Sequence, residues 1–421
     1  MLYKAIVYNA LSFVACGLLL TSCGGGGGGG GGTAARTDTP TVASGVLVDS
    51  AVEGVAFRSG GQTGETDSTG AYTYEVGKLV TFSIGGVELG SVTGAGVLTP
   101  LDLVGGSSDD VEALNLVRFL LMLDEDSDSS NGIFISNAVR AVAANWLQVN
   151  FATADLEAEL ASIMSDVASA DGRTPTLADS ADAKNHLEDS IACLASGIFS
   201  GSFSGDDSGT YLMWIQSQRY DPDFFGDTQP RKGVTSALIY SNGDATVYGV
   251  EPIEGLSYNS NKTIVSGTTT SAAVYSGEVK DYNTFVNGVW KNDFFNETGT
   301  FSGGRKAGAA DAVHRLSGLV NLMGSPFTRD GSALIGLDVF ADDTVSGVMV
   351  TLAGQQVALA GTLEGDVITV DDGGDQAFAL GFFPQSSNPV GPLGGTAGFF
   401  GVWVLDGSKI GEVIGSSCKL N

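Results

Sequence analysis

Apolar and polar residues follow three different patterns along the chain. Residues 44–104 contain short apolar runs of period two, separated by Gly, Ser, Thr and Asp, and this pattern predicts a small antiparallel β-sandwich. Residues 105–194 place apolar side chains three and four positions apart, which predicts a helical segment. Residues 195–421 return to short strands and turns. The sequence therefore predicts a mainly β fold that ends in a C-terminal antiparallel β-barrel.

Four apolar stripes define the predicted helices. Each stripe places its residues on one helix face, and the stripes are Val111, Leu114, Val117 and Leu121; Val139, Val142 and Trp146; Leu156, Leu160, Ile163 and Val167; and Leu187, Ile191 and Leu194. Thr176 and Asp179 have the spacing of a capping box before the last helix. These helices either bury a core of their own or fold back onto the sandwich, and the sequence leaves both arrangements open.

The predicted barrel region contains an internal repeat. A shared pattern of Trp, Gly and Val recurs in segments 285–303 and 398–415, and a second one in 245–250 and 343–348. The tryptophans of the first pair lie 113 residues apart and the final valines of the second pair lie 98 apart, so the copies would differ by an insertion. The repeat predicts either two halves of one closed barrel or two small barrels.

The N-terminal residues resemble those of a lipid-anchored protein. Lys4 precedes an apolar run from Ala5 to Leu20 that is too short to cross a bilayer. The run ends in Leu-Thr-Ser-Cys at residues 20–23, which resembles the lipobox of bacterial lipoproteins. The alternative is a plain signal peptide with a chance cysteine.

The lipobox resemblance implies a location. Residues 1–22 would be a signal peptide that is removed, and Cys23 would be acylated on its sulfur and on its new amino group. Residues 23–43, with nine consecutive glycines, would form a flexible tether. Gly24, in place of an aspartate after the cysteine, implies the outer membrane, with the folded part facing the periplasm or the cell surface.

Two further resemblances concern β modules. Segment 64–77, with a Thr-Asp-x-x-Gly-x-Tyr turn built on Asp67 and Gly70, resembles the carboxypeptidase regulatory-like domain and related B-type surface modules. Segment 398–415 resembles the closing strands of the barrel in transferrin-binding protein B and its relatives, although valine and tryptophan replace that family's proline and alanine. The resemblances imply a spacer domain followed by a surface lipoprotein barrel.

Charge and cysteine content restrict the partners and the compartment. The chain carries a formal net charge of −28 at pH 7, which repels nucleic acid and anionic lipid headgroups. The expected partners are the membrane, through the lipid anchor, and an unknown protein or small-molecule ligand. Cys193 and Cys418 remain in the mature chain besides Cys23, and they either form a disulfide between the first and last strands of a barrel or stay as two buried thiols.

An acidic loop between two predicted helices has the spacing of a calcium site. It resembles an EF-hand loop, and the candidate ligands are Asp124, Asp126, Asp128 and Ser130. Position twelve of such a loop is Asn137 instead of a bidentate glutamate. The sequence leaves open a calcium site or a plain acidic connection, and it suggests no other cofactor.

The usual catalytic motifs do not occur in the sequence. His186 and His314 are the only histidines, and we expect His186 on a solvated helix face and His314 at the surface. No serine lies in a Gly-x-Ser-x-Gly elbow, and neither HExxH nor CxxC is present. The acidic pairs at 206–207 and 371–372 are expected in turns beside glycines. We therefore expect a protein without enzymatic activity.

Aromatic residues supply a candidate contact surface. Tyr220, Phe224 and Phe225 surround a long loop that could bind a partner, or the loop lies on a barrel rim while Tyr211 and Trp214 pack inside. The predicted function is that of a membrane-anchored envelope lipoprotein acting as a surface binding or adhesion module. The alternatives are a structural envelope component without a ligand and a hydrolase that uses carboxylates alone.

Overall fold

The fold was obtained as a computed structural model, which describes residues 40–216, 237–242, 247–252, 255–269, 271–309, 311–322, 332–383 and 398–420. Cys23 and the aromatic residues Tyr220, Phe224 and Phe225 lie outside the described residues. Within the described ranges, every helix is too short or too polar to span a bilayer.

Residues 42–98 form two small sheets, as the alternation of apolar and polar residues predicts. Their strands are β1 (Val42–Leu47), β2 (Val52–Glu53), β3 (Ala56–Ser59), β4 (Gln62–Glu65), β5 (Ala71–Glu75), β6 (Leu79–Ile84), β7 (Val87–Thr93) and β8 (Val97–Leu98). One sheet has the order β5-β1-β8, in which β8 runs parallel to β1, and the other has the antiparallel order β4-β3-β6-β7. In β6, the alternate residues Val80, Phe82 and Ile84 are buried.

The turn between β4 and β5 has the geometry that its sequence predicts. Asp67 Oδ1 accepts hydrogen bonds from the Thr69 amide at 2.9 Å and from the Ala71 amide at 3.0 Å. Gly70 has a φ of +74°, and a Cβ there would lie 2.5 Å from the Leu47 carbonyl oxygen. Glycine is therefore required at this position for conformation and for space.

Five α-helices follow, and four of them match the apolar stripes. They are α1 (Pro100–Val104), α2 (Val111–Leu123), α3 (Asn137–Ala143), α4 (Leu156–Asp171) and α5 (Ser180–Ala195), with a 3₁₀ turn at Ser129–Asn131 and the strand β9 (Ile133–Phe134), which pairs with β2. The predicted capping box of Thr176 and Asp179 before α5 is wrong, because Thr176 is not the N-cap residue. Asp179 itself caps the helix, because its side chain accepts from the amides of Ala181 and Asp182.

The helices do not bury a separate core. Leu116, Phe119 and Leu160 belong to the same buried cluster as Phe82 and Leu89 of the sandwich. The opposite side of the helical segment contributes residues such as Leu187 and Ile191 to a second cluster, which also contains Tyr258 and Tyr282 of the following sheet. The helical segment thus connects the sandwich to the C-terminal strands.

The repeat region forms two separate up-and-down arrays. The first, called here the open barrel, has the strands β10 (Gly197–Gly205), β11 (Gly209–Ile215), β12 (Ala237–Asn242), β13 (Val247–Pro252), β14 (Gly255–Asn259), β15 (Lys262–Thr268), β16 (Ala273–Lys280), β17 (Thr284–Asn292) and β18 (Glu297–Arg305). Its first strand pairs with its last, and among the described residues β13 and β14 are the edges. The inward residues form one cluster that includes Phe199, Met213 and Phe301.

The second array, the closed barrel, is complete. It consists of β19 (His314–Leu322), β20 (Ser332–Val339), β21 (Thr344–Thr351), β22 (Gln356–Glu364), β23 (Val367–Asp371), β24 (Gln376–Phe383), β25 (Gly398–Leu405) and β26 (Ser408–Lys419), with β19 paired to β26. Large apolar side chains fill its interior, among them Phe378, Phe382, Phe399 and Trp403. Closure pairs every strand on both sides and leaves no exposed edge.

The two barrels resolve the alternatives that the repeat left open. Trp290 and Trp403 both lie in the penultimate strand of their arrays, so the first alignment relates equivalent positions. The second alignment agrees with the first, because Val250 in β13 and Val348 in β21 each lie four strands before the strand of the aligned tryptophan. The ninth strand of the open barrel therefore lies before the aligned strands. The insertion falls in the closed barrel, where Val348 and Trp403 are 55 residues apart, against 40 for Val250 and Trp290.

An apolar interface joins the barrels. Outward residues of β10 to β12 meet outward residues of β20 and β21 in one cluster, formed by Ile198, Leu212, Trp214, Ile239, Leu334, Val348, Val350 and Leu352. Trp214 is 2% exposed, and its Nε1 donates a hydrogen bond of 3.0 Å to Ser317 Oγ. The prediction that Tyr211 and Trp214 both pack inside one barrel is therefore correct for Tyr211 alone.

Substitution Trp214→Ala is expected to lower the free energy of unfolding by about 3 to 5 kcal/mol, because it opens a cavity between the barrels. Trp214→Phe should have a smaller effect, since it keeps an aromatic ring and loses the hydrogen bond to Ser317. Urea unfolding of the two variants measures the difference. Equal, small losses in both would contradict the assignment of this residue to a buried interface.

The two cysteines of the folded part lie at disulfide distance, with Cα atoms 5.7 Å apart. Cys193 lies in the last turn of α5 and Cys418 in β26. The predicted pairing of Cys193 with Cys418 agrees with this distance. The expectation that the bond closes one barrel is wrong, since Cys418 belongs to the second of two consecutive barrels. The bridge instead connects the helix before the open barrel to the last strand of the closed barrel.

Candidate functional site

The acidic loop uses its carboxylates in internal hydrogen bonds. Asp126 accepts from the Asp128 amide at 2.9 Å and from the Asn131 side chain at 2.8 Å, and Asp124 accepts from the Phe134 amide at 3.0 Å. Burial raises the pKa of the Asp124 carboxyl. The described residues contain no group of three or more His, Cys, Asp or Glu side chains arranged for a metal, and the side chain of Ser130 lies outside the description. Calcium binding stays a prediction.

His186 is not on a solvated helix face, and that expectation was wrong. Its side chain is 17% exposed. One ring nitrogen lies 3.0 Å from the Asp49 carbonyl oxygen and the other 3.3 Å from Ser129 Oγ. Asp49 is fully buried, its carboxylate accepts no hydrogen bond, and burial raises its pKa while His186 opposes that shift.

The residue types Ser129, His186 and Asp49 match a catalytic triad, but their surroundings do not. Neither of the two cavities described below is lined by any of the three. We interpret these contacts as structural, because they hold α5 against the turn after β1 and against the 3₁₀ turn.

His314 is also less exposed than expected. It lies in β19, and its ring packs edge-on against Phe382 with centroids 5.3 Å apart. Burial lowers the pKa of its imidazole, and Lys419 contributes in the same direction. Its position is that of a barrel residue and not of a surface base.

The principal candidate site is a cavity of about 370 Å³ inside the open barrel. It is bordered by residues of β10, β11, β12, β16, β17 and β18. The lining residues are Phe203, Asp207, Tyr211, Met213, Leu238, Tyr240, Thr269, Ser271, Ala273, Tyr275, Trp290, Asn292, Phe295, Glu297 and Phe301. Seven of these fifteen are aromatic, so ring surfaces form a large part of the wall.

Edge-to-face contacts hold the aromatic wall in place. Phe301 meets Tyr211 at a centroid distance of 5.7 Å and Tyr275 at 6.4 Å. Phe203 meets Tyr240 at 6.1 Å and Trp290 at 6.3 Å. Such perpendicular pairs are favoured by the ring quadrupoles. The rings are therefore fixed by one another before any ligand enters.

Glycines in β18 make room for two of the rings. A Cβ at Gly299 would lie 2.4 Å from Trp290 Nε1, and a Cβ at Gly303 would lie 2.5 Å from Tyr211 Oη. Both polar atoms are buried and have no hydrogen-bond partner. Burial also raises the pKa of the Tyr211 phenol, so this hydroxyl keeps its proton.

Polar residues surround the open end of the cavity. Tyr240 Oη lies 3.0 Å from Ser271 Oγ, which in turn lies 2.9 Å from Thr269 Oγ1. Asn292 donates to the Ser271 carbonyl at 2.9 Å and accepts from the amide of Phe294 at 3.0 Å. These bonds fix the turns around the opening without using a bound ligand.

The rim also carries exposed rings and carboxylates. Phe294 and Phe295 are 82% and 60% exposed and contact each other edge-to-face at 4.9 Å. Asp206 lies in the expected turn, where its carboxylate accepts from the Thr298 amide at 2.8 Å and links two hairpins. The neighbouring Asp207 faces the cavity instead, as does Glu297.

A second cavity, of about 420 Å³, lies where the sandwich, α5 and both barrels meet. Arg305 and Arg315 line it, and Arg315 lies 3.4 Å from Asp338. Arg305 stacks over the Phe199 ring at 5.3 Å and donates to the Leu194 carbonyl in the last turn of α5 at 2.6 Å. Burial lowers the pKa of both guanidinium groups. These contacts stabilise the end of a helix, and we assign them a structural role.

Sequence reasoning missed the cavity. Its aromatic loop candidates, Tyr220, Phe224 and Phe225, lie outside the described residues, whereas the cavity uses residues such as Tyr275, Trp290 and Glu297. The available signal was the inward alternation of β16 to β18 combined with glycines at inward positions.

Comparison with known proteins adds little. No protein-family model matches the sequence, and no curated protein matches it. The chain is similar in structure to an AttH candidate from Nitrosomonas europaea, at 8% identity and a TM-score of 0.21, over 52% of this chain and 90% of that one. It is also similar to a DUF3598-family protein of unknown function from Nostoc punctiforme, at 8% identity and a TM-score of 0.16, over 55% and 98%. Likeness at these scores supports no functional argument.

Proposed function

We propose that this chain is a non-catalytic envelope lipoprotein, anchored to the outer membrane through Cys23, that binds a small ligand with an apolar body inside the open barrel. The observation that carries the proposal is the contrast between the two barrels. Large side chains fill the interior of the closed barrel, whereas a cavity of about 370 Å³ lies inside the open one.

The size and lining of the cavity suit a small molecule. Ligand sites in proteins commonly have volumes of about 300 to 1,000 Å³ and mostly apolar walls with a few polar groups. The aromatic wall provides the apolar surface, and Ser271 and Asn292 at the rim provide polar groups. Because the rings already hold one another in place, binding would need little reorganisation.

A carboxylate-only hydrolase is the second candidate, because Asp207 and Glu297 both line the cavity. General acid and base catalysis by two carboxylates requires one of them to keep its proton near neutral pH. Both side chains are partly buried to a similar degree, so their surroundings do not distinguish an acid from a base. Binding without turnover is therefore the better proposal, and a structural role without a ligand is the remaining alternative.

The binding proposal predicts saturable uptake of a neutral apolar probe. N-phenyl-1-naphthylamine should fluoresce more strongly with the wild-type protein, and Ala273→Trp, which places an indole in the cavity, should weaken its binding at least tenfold. Fluorescence titration measures both affinities.

The matched control is Ala379→Trp, at an exposed position on β24 of the closed barrel. This variant should bind the probe like the wild type. A wild-type protein that gives no saturable signal, or an Ala273→Trp variant that binds as tightly as the control, would reject the cavity as the binding site.

A further inference from the structure

The charged residues among the described lining of the cavity are all acidic. Asp207 and Glu297 are its ionisable carboxylates, and no Lys, Arg or His occurs among the described residues that line it. Lys291, on the neighbouring strand, forms an ion pair with Asp293 at 2.6 Å and does not line the cavity. A ligand in the cavity therefore meets negative charge at the rim, and the described lining residues supply no cation to balance it.

The wall of the cavity also favours a cation. Aromatic faces carry negative potential, and ammonium groups bind over Trp, Tyr and Phe rings within about 6 Å. Trp290, Tyr275 and Phe203 present such rings. Among the described lining residues, the aliphatic side chains are those of Met213, Leu238 and Ala273. A site built only to hold a hydrocarbon would not require this excess of rings.

The field of the whole protein acts in the same direction. A net charge of −28 raises the local concentration of cations and repels anions. At physiological salt this field is screened beyond about 8 Å, so the two rim carboxylates dominate once the ligand is bound.

We infer that the open barrel selects organic cations, namely quaternary or protonated amines with an apolar body, whose charge lies between the rim carboxylates and the aromatic wall. This inference rests on the proposed ligand-binding function. It adds the ligand's charge class to that function and assigns Asp207 and Glu297 as the residues that determine specificity.

Three probes of the same shape test the inference. Choline, the neutral 3,3-dimethyl-1-butanol and the anionic 3,3-dimethylbutanoate each carry three methyl groups on one central atom, nitrogen in choline and carbon in the others, and they differ in charge. Each is titrated against bound N-phenyl-1-naphthylamine. Choline should displace the dye at a concentration at least tenfold lower than the neutral alcohol, and the carboxylate should be weaker than both.

Variants then assign the preference to the two carboxylates. The double substitution Asp207→Asn and Glu297→Gln should weaken choline about tenfold or more and leave the neutral alcohol and the dye unchanged. Asp293 lies in the turn just before Glu297, but its carboxylate does not line the cavity. The control variant Asp293→Asn should therefore leave the choline preference intact. Unchanged binding of the neutral alcohol also shows that the double variant is folded.

The outcomes separate the two proposals. Absence of dye binding to the wild-type protein would reject ligand binding in the open barrel. Dye binding with equal displacement by choline and the neutral alcohol, or a choline preference that survives the double substitution, would reject the cation inference and leave the binding function standing.

Discussion

Removal of the Cys193–Cys418 link is expected to lower the free energy of unfolding by about 3 to 5 kcal/mol, because the bond closes a loop of 225 residues in the unfolded chain. In the folded state the link holds α5, which precedes the two barrels in the sequence, against β26, which ends them. A variant with Cys193→Ala and Cys418→Ala, compared with the wild type by urea unfolding under oxidising conditions, measures the difference.

Reduction supplies the control for this experiment. Dithiothreitol should bring the wild type to the stability of the double variant and should leave the double variant itself unaffected. The double variant could be less stable while reduction leaves the unfolding midpoint of the wild type unchanged. The loss of stability would then come from cavities at Cys193 or Cys418 and not from the missing bond.

Substitution Cys23→Ala is expected to release the protein from the membrane completely. The proposed anchor consists of several acyl chains, and each buried CH₂ group contributes about 0.8 kcal/mol, so no partial retention is expected without them. The excess of negative charge gives no second attraction to anionic headgroups. Fractionation of cells and partitioning into Triton X-114 measure the association.

Cys16→Ala is the matched control, because Cys16 lies in the same N-terminal region but within the apolar run before the lipobox. This variant should remain in the detergent phase. Detergent partitioning that is the same for Cys23→Ala and Cys16→Ala would reject the lipid anchor and, with it, the proposed location.

Local periodicity was sufficient to predict most elements. The stripe at Leu156, Leu160 and Ile163 is the buried face of α4, and the alternation around Phe82 is the buried face of β6. Each pattern depends on contacts within a single element and its core, so it can be read from neighbouring residues. The choice between one barrel and two depends on which strands pair, and two short aligned segments could not decide it.

Contacts between residues that are distant in the sequence explain why the predictions for His186 and Trp214 are wrong. The helix face that carries His186 is expected to be solvated, yet Asp49, 137 positions earlier, contacts its ring. Trp214 alternates like a barrel residue, but its side of β11 faces a second barrel. Tertiary burial of this kind leaves no local pattern in the sequence.

The cavity was hidden for a related reason. Its wall requires Trp290 to lie against Gly299 of the next strand, and the effect of a glycine is known only once the register of the strands is known. Once the register is known, glycines are seen opposite large rings on the inward face of β17 and β18. This pattern distinguishes the open barrel from a barrel that side chains fill.

The covalent connection between α5 and β26 also affects how the protein would respond to proteolysis. A single cut at any point between residues 193 and 418 leaves both products joined through sulfur. The N-terminal product, which carries the proposed anchor, and the C-terminal product would then stay together after cleavage, and their separation would require a reductant as well as a peptidase.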